Sequence, residues 1–458
     1  MCGIVGYFGP GVASEDSPRV LRRMADAVAH RGPDEMGFYS AGTLGLGHRR
    51  LSIVGLADGQ QPMRSTSAVI SFNGEIFNYL ELRDDLIARG HHFRTGSDTE
   101  VLLTLLSERG EAALDELNGD FAFAHFDERR QRLLLARDRI GVRPLYYTWR
   151  GETLVFGSEI KALLAFPGVT AELDPLALDQ VFTMWAPLAP RTAFAGIFEL
   201  PPGHLLVVEN GHATTRAWWT LDFPDLGDSD DRREADIADE LLALLDDATR
   251  VRLRADVPVG AYLSGGLDSS LVAALAARRV GDRLRTFSLT FDSAEHDESR
   301  YQAMMVEALG TSHSSVATSA ADIAALFPGT VRSTETPIIR TAPSPMQLLS
   351  RHVHDAGYKV VLTGEGADEM FAGYDIFREA RVRRFVVRSP RSERRGLLFR
   401  RLYPYLPALQ SQTAEYLAAS FGAGTDRLDD RLFSHRPRLR ATSQAKLFYS
   451  DDLRARLA

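Results

Sequence analysis

The chain has 458 residues, 45% of them hydrophobic and 25% charged, with a formal net charge of −8. This is the composition of a globular protein with ample core, long enough for two or three domains. It gives no broad basic footprint for nucleic acid, and no apolar run reaches the ~18 residues of a membrane span.

The N-terminus, Met1-Cys2-Gly3-Ile4-Val5-Gly6-Tyr7, lacks the charged and apolar regions of a signal peptide. A cytoplasmic location is therefore expected, with neither nucleic acid nor membrane as partner. Cys2 is the single cysteine, which rules out an intrachain disulfide.

In chain order, the spacing of apolar residues predicts a helix over Arg19–His30 and a strand over Ala68–Phe72 that runs into the turn dipeptide Asn73-Gly74. A helix over Tyr79–Arg89 carries Leu82, Leu86 and Ile87 on one face, and Gly119–Phe126 and Leu133–Ala136 read as a pair of strands. This part is sheet-dominated and flanked by helices. An acidic stretch with Pro and Gly, residues 221–233, reads as a linker between domains 2–220 and 234–458.

After the linker the pattern alternates. A helix carries Ile237, Leu241, Leu244, Leu245, Ala248 and Val251 as an apolar stripe. Strands are expected at Val257–Leu263, Leu284–Phe291 and Tyr358–Leu362, with helices at Ser269–Arg279 and Ser299–Leu309. Such alternation indicates a parallel α/β sheet. From Arg378 the chain is helical in character and dense in arginine, and reads as a solvated face.

Removal of Met1 would leave Cys2 as a terminal residue whose own α-amine can take the thiol proton, so no separate histidine base is required. Cys2-Gly3-Ile4-Val5-Gly6, His30-Arg31-Gly32-Pro33-Asp34, Gly47-His48-Arg49-Arg50-Leu51-Ser52-Ile53, Gln61-Pro62, Asn73-Gly74-Glu75-Ile76-Phe77-Asn78 and Ser97-Asp98-Thr99-Glu100 follow one another in order. Together they resemble the class II glutamine amidotransferases, which are N-terminal nucleophile hydrolases with a four-layer αββα fold.

The resemblance implies Cys2 as nucleophile, with the Asn73 side chain and the Gly74 N–H as the oxyanion hole. It implies glutamine binding by Arg50, Leu51, Ser52, Ile53, Val54, Asn73, Gly74, Glu75 and Asp98. Arginine suits the α-carboxylate of glutamine through its forked donors, and a carboxylate such as Asp98 suits the α-ammonium.

In the second half, Tyr262-Leu263-Ser264-Gly265-Gly266-Leu267-Asp268-Ser269-Ser270 lies where a strand passes into a helix. Backbone N–H groups and a helix N-terminus can cradle phosphate there, and the Gly-Lys-Ser/Thr ending of kinase-type loops is absent. The segment resembles the loop of enzymes that split ATP into AMP and PPi. Leu362-Thr363-Gly364-Glu365-Gly366-Ala367-Asp368-Glu369-Met370-Phe371-Ala372-Gly373-Tyr374 resembles the corresponding segment of asparagine synthetases.

These resemblances imply ATP contacts at Tyr262, Ser264, Gly265, Gly266, Asp268, Ser269, Ser270, Leu289, Thr363 and Gly364. They also imply Mg²⁺ ligation at Asp268 and Asp368, and a catalytic role for Glu365 at the acyl-adenylate. The segments Arg137–Tyr147 and Phe156–Leu163 also match the family and are read as an interface between domains, with no chemistry of their own.

The expected activity is that of a glutamine-hydrolysing asparagine synthetase. Ammonia released at Cys2 would pass through an internal channel to an ATP-activated carboxylate, with AMP and PPi released. Aspartate is the expected acceptor; another small carboxylate of a natural-product pathway, or a glutamine-responsive module without ligase activity, are the alternatives. Beta-lactam-forming relatives have no use for the cysteine. A homodimer is an open expectation. The segments that usually follow in asparagine synthetases have no match between Phe385 and Ala458, so an incomplete synthetase half is expected, with an apolar face left uncovered.

Overall fold

In the computed structural model, residues 1–224, 230–293, 297–389, 392–422 and 427–457 are described. The middle of the expected linker, 225–229, lies outside them. Two six-stranded sheets form the N-terminal part. The first has the order β10-β8-β9-β1-β3-β2, built from β1 (Gly3–Phe8), β2 (Glu35–Ala41), β3 (Leu44–Arg50), β8 (Tyr146–Arg150), β9 (Thr153–Gly157) and β10 (Ile197–Glu199). The second has the order β12-β11-β7-β6-β5-β4, from β4 (Met63–Arg64), β5 (Ala68–Ile76), β6 (Gly119–Asp127), β7 (Arg132–Arg137), β11 (His204–Glu209) and β12 (His212–Ala217).

Period-two alternation makes this a four-layer structure. In β6, Ala122, Ala124 and Phe126 join Ile4, Leu46, Val69 and Phe156 in a core between the sheets. Phe121 and Phe123 face the opposite way, onto Leu86, Leu102 and Leu106 of the helices Tyr79–Ala88 and Asp98–Arg109. On the outer side of the first sheet, Val5 and Tyr7 pack against Val20, Leu21 and Met24 of the helix Ser17–Ala27. The layers are therefore helix, sheet, sheet, helix, as expected.

A four-stranded, all-parallel sheet follows, ordered β15-β14-β13-β16, from β13 (Val259–Tyr262), β14 (Arg285–Phe291), β15 (Ser312–Thr318) and β16 (Val360–Leu362). The helices Leu267–Val280 and Ser299–Leu309 connect them near the expected positions.

Contact density divides the chain into one unit of Met1–Ala177 with Pro187–Thr363 and a second of Leu178–Ala186 with Gly364–Ala458. In the second unit, Phe399, Leu402, Tyr403, Leu417 and Phe421 form a small core.

Four local readings need correction. Asn73 and Gly74 are not in a turn. They continue β5, paired with Ala122 and Phe121 of β6, because the apolar alternation persists past them to Ile76. Ile87 is 51% exposed while Leu82 and Leu86 are buried, so the apolar stripe of that helix is narrower than expected. Leu244 is 62% exposed, leaving the stripe of the helix Glu234–Arg252 only partly covered.

The arginine-dense segment is not uniformly solvated. Arg383 is fully buried, its Nε and Nη1 donating to the carbonyls of Phe421 and Phe433 at 2.8 and 2.9 Å. It also faces Glu379, whose Oε2 accepts from the Tyr403 hydroxyl at 2.5 Å. Extended arginine can be buried when carbonyls and a carboxylate satisfy it.

The centre of the first sheet is tight. A Cβ at Gly6 would lie 2.4 Å from the Phe156 ring and 2.7 Å from the Gly45 carbonyl oxygen. Gly6→Ala is expected to lower the unfolding free energy by about 2 kcal/mol through overpacking. Denaturant unfolding measures this, and an unchanged midpoint would contradict it.

Candidate functional site

The pairing of β1 with β3 sets Gly3 opposite Arg49 and so delivers Cys2 beside Arg50 and Leu51. The Cys2 thiol donates to the Leu51 carbonyl at 3.6 Å, and the Leu51 N–H reaches Sγ at 3.4 Å. Arg31 Nε donates to the Cys2 carbonyl at 2.8 Å, while the Ile4 N–H donates to Ser158 Oγ at 3.0 Å. The nucleophile candidate is thus held from several sides. Burial pushes its thiol up from the ordinary cysteine range, against the pull of the Leu51 amide and the terminal amine. Burial also lowers the amine of Met1 to about 5.

Asn73 lies on the face of β5 that looks toward the first sheet, two residues beyond Ser71, whose hydroxyl meets His48 Nδ1 of β3 at 3.2 Å. The Asn73 side chain is buried, and neither Nδ2 nor Oδ1 has a partner among the described residues. A buried amide left unpaired costs about 1–3 kcal/mol unless a ligand completes it.

The Gly74 N–H follows from strand parity. The Phe121 carbonyl accepts from the Asp138 N–H, so Phe121 turns its backbone groups away from β5. On β5, Phe72 instead gives its N–H to Gln61 Oε1 at 2.6 Å, and the Ile76 N–H goes to Asp98 Oδ2 at 3.0 Å. Alternation therefore points the Gly74 N–H to the same edge, between those two. Glycine is required there by space, since a Cβ would lie 2.1 Å from the Asp120 carbonyl oxygen.

Asp98 opens its helix next to this edge, its carboxylate tied to Ile76, and burial raises it to about 6. Burial likewise raises Glu75 to about 7, against the attraction of Arg143.

Arg50 is buried and turned into its own loop. Its guanidinium donates to Glu35 at 3.1 Å and to the carbonyls of Val54, Gly55 and Leu56 at 3.2, 2.6 and 3.4 Å. The loop 51–56 is fixed further by residues distant in sequence. Asp256 Oδ2 accepts from the Gly55 N–H at 2.8 Å, the Asp256 N–H donates to the Ile53 carbonyl at 2.9 Å, and Lys359 Nζ reaches Asp34 at 2.6 Å and the Ser52 carbonyl at 3.3 Å. Asp256 lies three residues before β13 and Lys359 is the residue before β16.

At the carboxyl ends of three adjacent parallel strands lie Ser264 after β13, Leu289 within β14 and Thr363 after β16. This edge of an α/β sheet is where ligands usually bind. Ser264-Gly265-Gly266 leads into the helix Leu267–Val280. Gly265 has φ +90°, and a Cβ there would sit 2.9 Å from the Tyr301 Cβ. Ser264 Oγ and Ser269 Oγ are 2.8 Å apart and the Gly266 N–H donates to Ser264 Oγ at 3.2 Å, closing the loop on itself.

Gln302 Nε2 donates to the carbonyls of Leu289 and Ser264 at 2.9 and 3.3 Å, joining two of the segments expected to hold ATP. Tyr262 instead turns its hydroxyl toward Ser350 Oγ, 3.5 Å away. Ser270 continues the helix by donating its N–H to the Gly266 carbonyl at 3.1 Å.

Asp268 lies in the first helical turn, and its carboxylate makes no hydrogen bond or ion pair among the described residues. A single carboxylate beside a phosphate cradle fits Mg²⁺, which takes one or two carboxylates and completes its shell with phosphate and water. No group of three His, Cys, Asp or Glu side chains able to hold a metal occurs among the described residues.

Gly364, Glu365 and Asp368 belong to the second unit. There Gly366, at φ +92°, starts the short helix Ala367–Phe371, and Tyr374 hydroxyl donates to Glu369 at 2.5 Å.

Several residues that matter to this geometry carried no role in the sequence reading. Arg31, Asp34 and Gln61 lay within quoted motifs, but their side chains serve backbone atoms, which no residue pattern advertises. Arg143 lay in a segment read as interface, yet its charge acts on Cys2, Glu75 and the terminal amine, and its Nε is buried without a partner among the described residues.

Residues 1–219 match the glutamine amidotransferase domain family, and residues 240–454 match the asparagine synthase family. The chain is 35% identical over 401 residues to the glutamine-hydrolyzing asparagine synthetase 3 of Bacillus subtilis, covering 83% of this chain and 64% of that one. It is 33% identical over 401 residues to a putative glutamine-hydrolyzing asparagine synthetase 2 of Methanocaldococcus jannaschii, covering 82% of this chain and 76% of that one. It is 36% identical over 409 residues to amidase chyE of Penicillium rubens, covering 82% of this chain and 60% of that one. The chain thus spans less than two thirds of the Bacillus and Penicillium relatives.

The position of Asp98 gives a pH signature. If its carboxylate holds the glutamine ammonium, protonation removes that contact, so the KM for glutamine should rise as pH falls through about 6. Asp98→Asn should bind glutamine weakly at every pH and lose that limb, whereas Glu75→Gln should keep it. A parent KM that is flat from pH 5 to 8 would remove Asp98 from the ammonium site.

Proposed function

Because the chain belongs to the glutamine-hydrolysing asparagine synthetase family, we propose that it hydrolyses glutamine at Cys2 and delivers the ammonia to an ATP-activated carboxylate. The observation that carries this reading is the buried, unpartnered Asn73 amide on the face turned toward the sheet that delivers Cys2.

With Met1 removed, the α-amine of Cys2 takes the thiol proton. That amine sits on the same residue as the thiol, so it is placed to act as the base without a separate side chain. The thiolate attacks the glutamine side-chain amide, and the oxyanion that forms is met by Asn73 Nδ2 and the Gly74 N–H. Ammonia leaves, and water releases glutamate from the thioester. Arg50 and the loop Leu51-Ser52-Ile53-Val54 bind the α-carboxylate end, with Glu75 and Asp98 at the ammonium end.

In the nucleotide part, Ser264, Gly265, Gly266, Ser269 and Ser270 hold the phosphates of ATP, while Tyr262, Leu289 and Thr363 bound the nucleoside. Asp268 and, separately, Asp368 would each offer a carboxylate to Mg²⁺, which would supply charge neutralisation on the phosphates. Glu365 accepts a proton from the attacking ammonia. The products are AMP, PPi and an amide.

Aspartate is the proposed acceptor. A second acceptor class is supported by relatives named amidases in Penicillium rubens and Gibberella zeae, each 35–36% identical. A screen of small carboxylates for PPi release discriminates the two. Release with aspartate alone favours asparagine formation, and release only with another acid overturns aspartate.

Cys2→Ala is expected to abolish glutamine hydrolysis; hydrolysis at the parent rate would refute the nucleophile. Asp268→Asn is expected to lower acceptor-dependent PPi release by at least about tenfold while sparing glutamine hydrolysis, since an amide offsets phosphate charge poorly. Unchanged PPi release would remove Asp268 from the metal.

A further inference from the structure

A chain of alternating charges runs from the Cys2 backbone into the segment that carries the parallel sheet. Arg31 Nε donates to the Cys2 carbonyl at 2.8 Å and its Nη1 to Glu159 Oε1 at 2.9 Å. His30 Nε2 lies 2.9 Å from the same Glu159 oxygen. Lys161 Nζ pairs with the other Glu159 oxygen and reaches Glu335 Oε1 at 3.1 Å. Glu335 also accepts the backbone N–H groups of Ile160 and Lys161 at 2.6 and 2.7 Å. The side chains of Arg31, Glu159 and Glu335 are 7, 9 and 8% exposed, so water screens these links little, while Lys161 between the two carboxylates is 25% exposed.

The hub is the segment 158–161. Ser158 exchanges two hydrogen bonds with Ile4, one from its N–H to the Ile4 carbonyl at 2.9 Å and one from the Ile4 N–H to its hydroxyl at 3.0 Å. Glu159 orients Arg31, and Ile160 and Lys161 rest on Glu335. Glu335 itself sits just past the helix Ala320–Thr334 at φ +54°, a conformation costly for a residue with a side chain. Its three donors hold it there. The same contacts give the segment read as an interface a definite task.

We propose that Glu335 is a positioning residue for the Cys2 nucleophile, acting through Lys161, Glu159 and Arg31 on the Cys2 carbonyl. This rests on the reading of Cys2 as the nucleophile. Loss of Glu335 frees Ile160, Lys161 and then Glu159 to move, and Arg31 no longer fixes the carbonyl beside the thiol. Glutamine contacts at Arg50, Asn73 and Asp98 are untouched. The effect should therefore fall on kcat and not on KM.

The test uses the full chain with Glu335→Gln, Glu335→Ala, Lys161→Met and the double variant Glu335→Ala/Lys161→Met. Two rates are read: glutamine hydrolysis, and alkylation of Cys2 by iodoacetamide, which needs no glutamine. Glu335→Ala is expected to lower kcat for hydrolysis about tenfold with KM within about twofold, and to change the alkylation rate by a similar factor. Glu335→Gln, which keeps the shape and the oxygen acceptor, should fall between. The double variant should lose no more than the worse single variant, because both act through one chain.

A Glu335→Ala protein with parent kcat and parent alkylation rate overturns the proposal, as does a double variant whose losses multiply. A parent chain that never hydrolyses glutamine sinks the functional reading instead, and the alkylation rates still decide whether Glu335 positions Cys2.

Discussion

Cys2 lies just ahead of the first strand, so its position is set by hydrogen bonds from distant segments rather than by its own strand. The pairing of β1 with β3 and β9 fixes the strand that begins at Gly3. Arg31 holds the Cys2 carbonyl, Leu51 meets the thiol, and Ser158 seals Ile4. The tightness of the first sheet around Gly6 serves the same end. Each of these partners lies far along the sequence from Cys2, so the geometry of the first residues exists only when the whole four-layer body has closed.

The polar groups near Cys2 are expensive to leave as they are. The Asn73 amide is buried and unpaired, and the carboxyls of Asp98 and Glu75 are raised to about 6 and 7 by burial. A protein retains such costs where a ligand supplies the missing partners. An amide with an α-ammonium at its far end, the ligand of the proposed function, would supply partners of this kind.

The two six-stranded sheets and the parallel sheet are tied together within one compact unit. Asp256 and Lys359, at the starts of strands whose far ends carry Ser264 and Thr363, hold the loop that follows Arg50. Glu335 holds the segment behind Cys2. Residues flanking the parallel sheet therefore brace both sides of the cysteine site by bonding to backbone groups. Exposed apolar side chains on the two helices that connect its strands, Leu267 at 83% and Met304 at 56%, stand out against this packed side.

The sequence by itself determined the layer order, the parallel sheet, and the residues that carry recognisable chemistry. Apolar period marked the first half of β5 together with β6 and β7, and the ordered motifs singled out Cys2, Asn73, Asp98 and the Ser264–Ser270 loop. Side-chain chemistry is local, so it can be read locally. What only the tertiary structure decided are the roles that run through backbone atoms. Asn73-Gly74 carries the signature of a turn, yet β6 holds it extended, and strand parity then aims the Gly74 N–H. Arg383 looked solvated, yet carbonyls from distant residues bury it. Arg31, Gln61, Asp256, Gln302 and Glu335 act on carbonyl and N–H groups that every residue possesses. Nothing in a residue's identity says which distant backbone it will meet, and only the folded register supplies that.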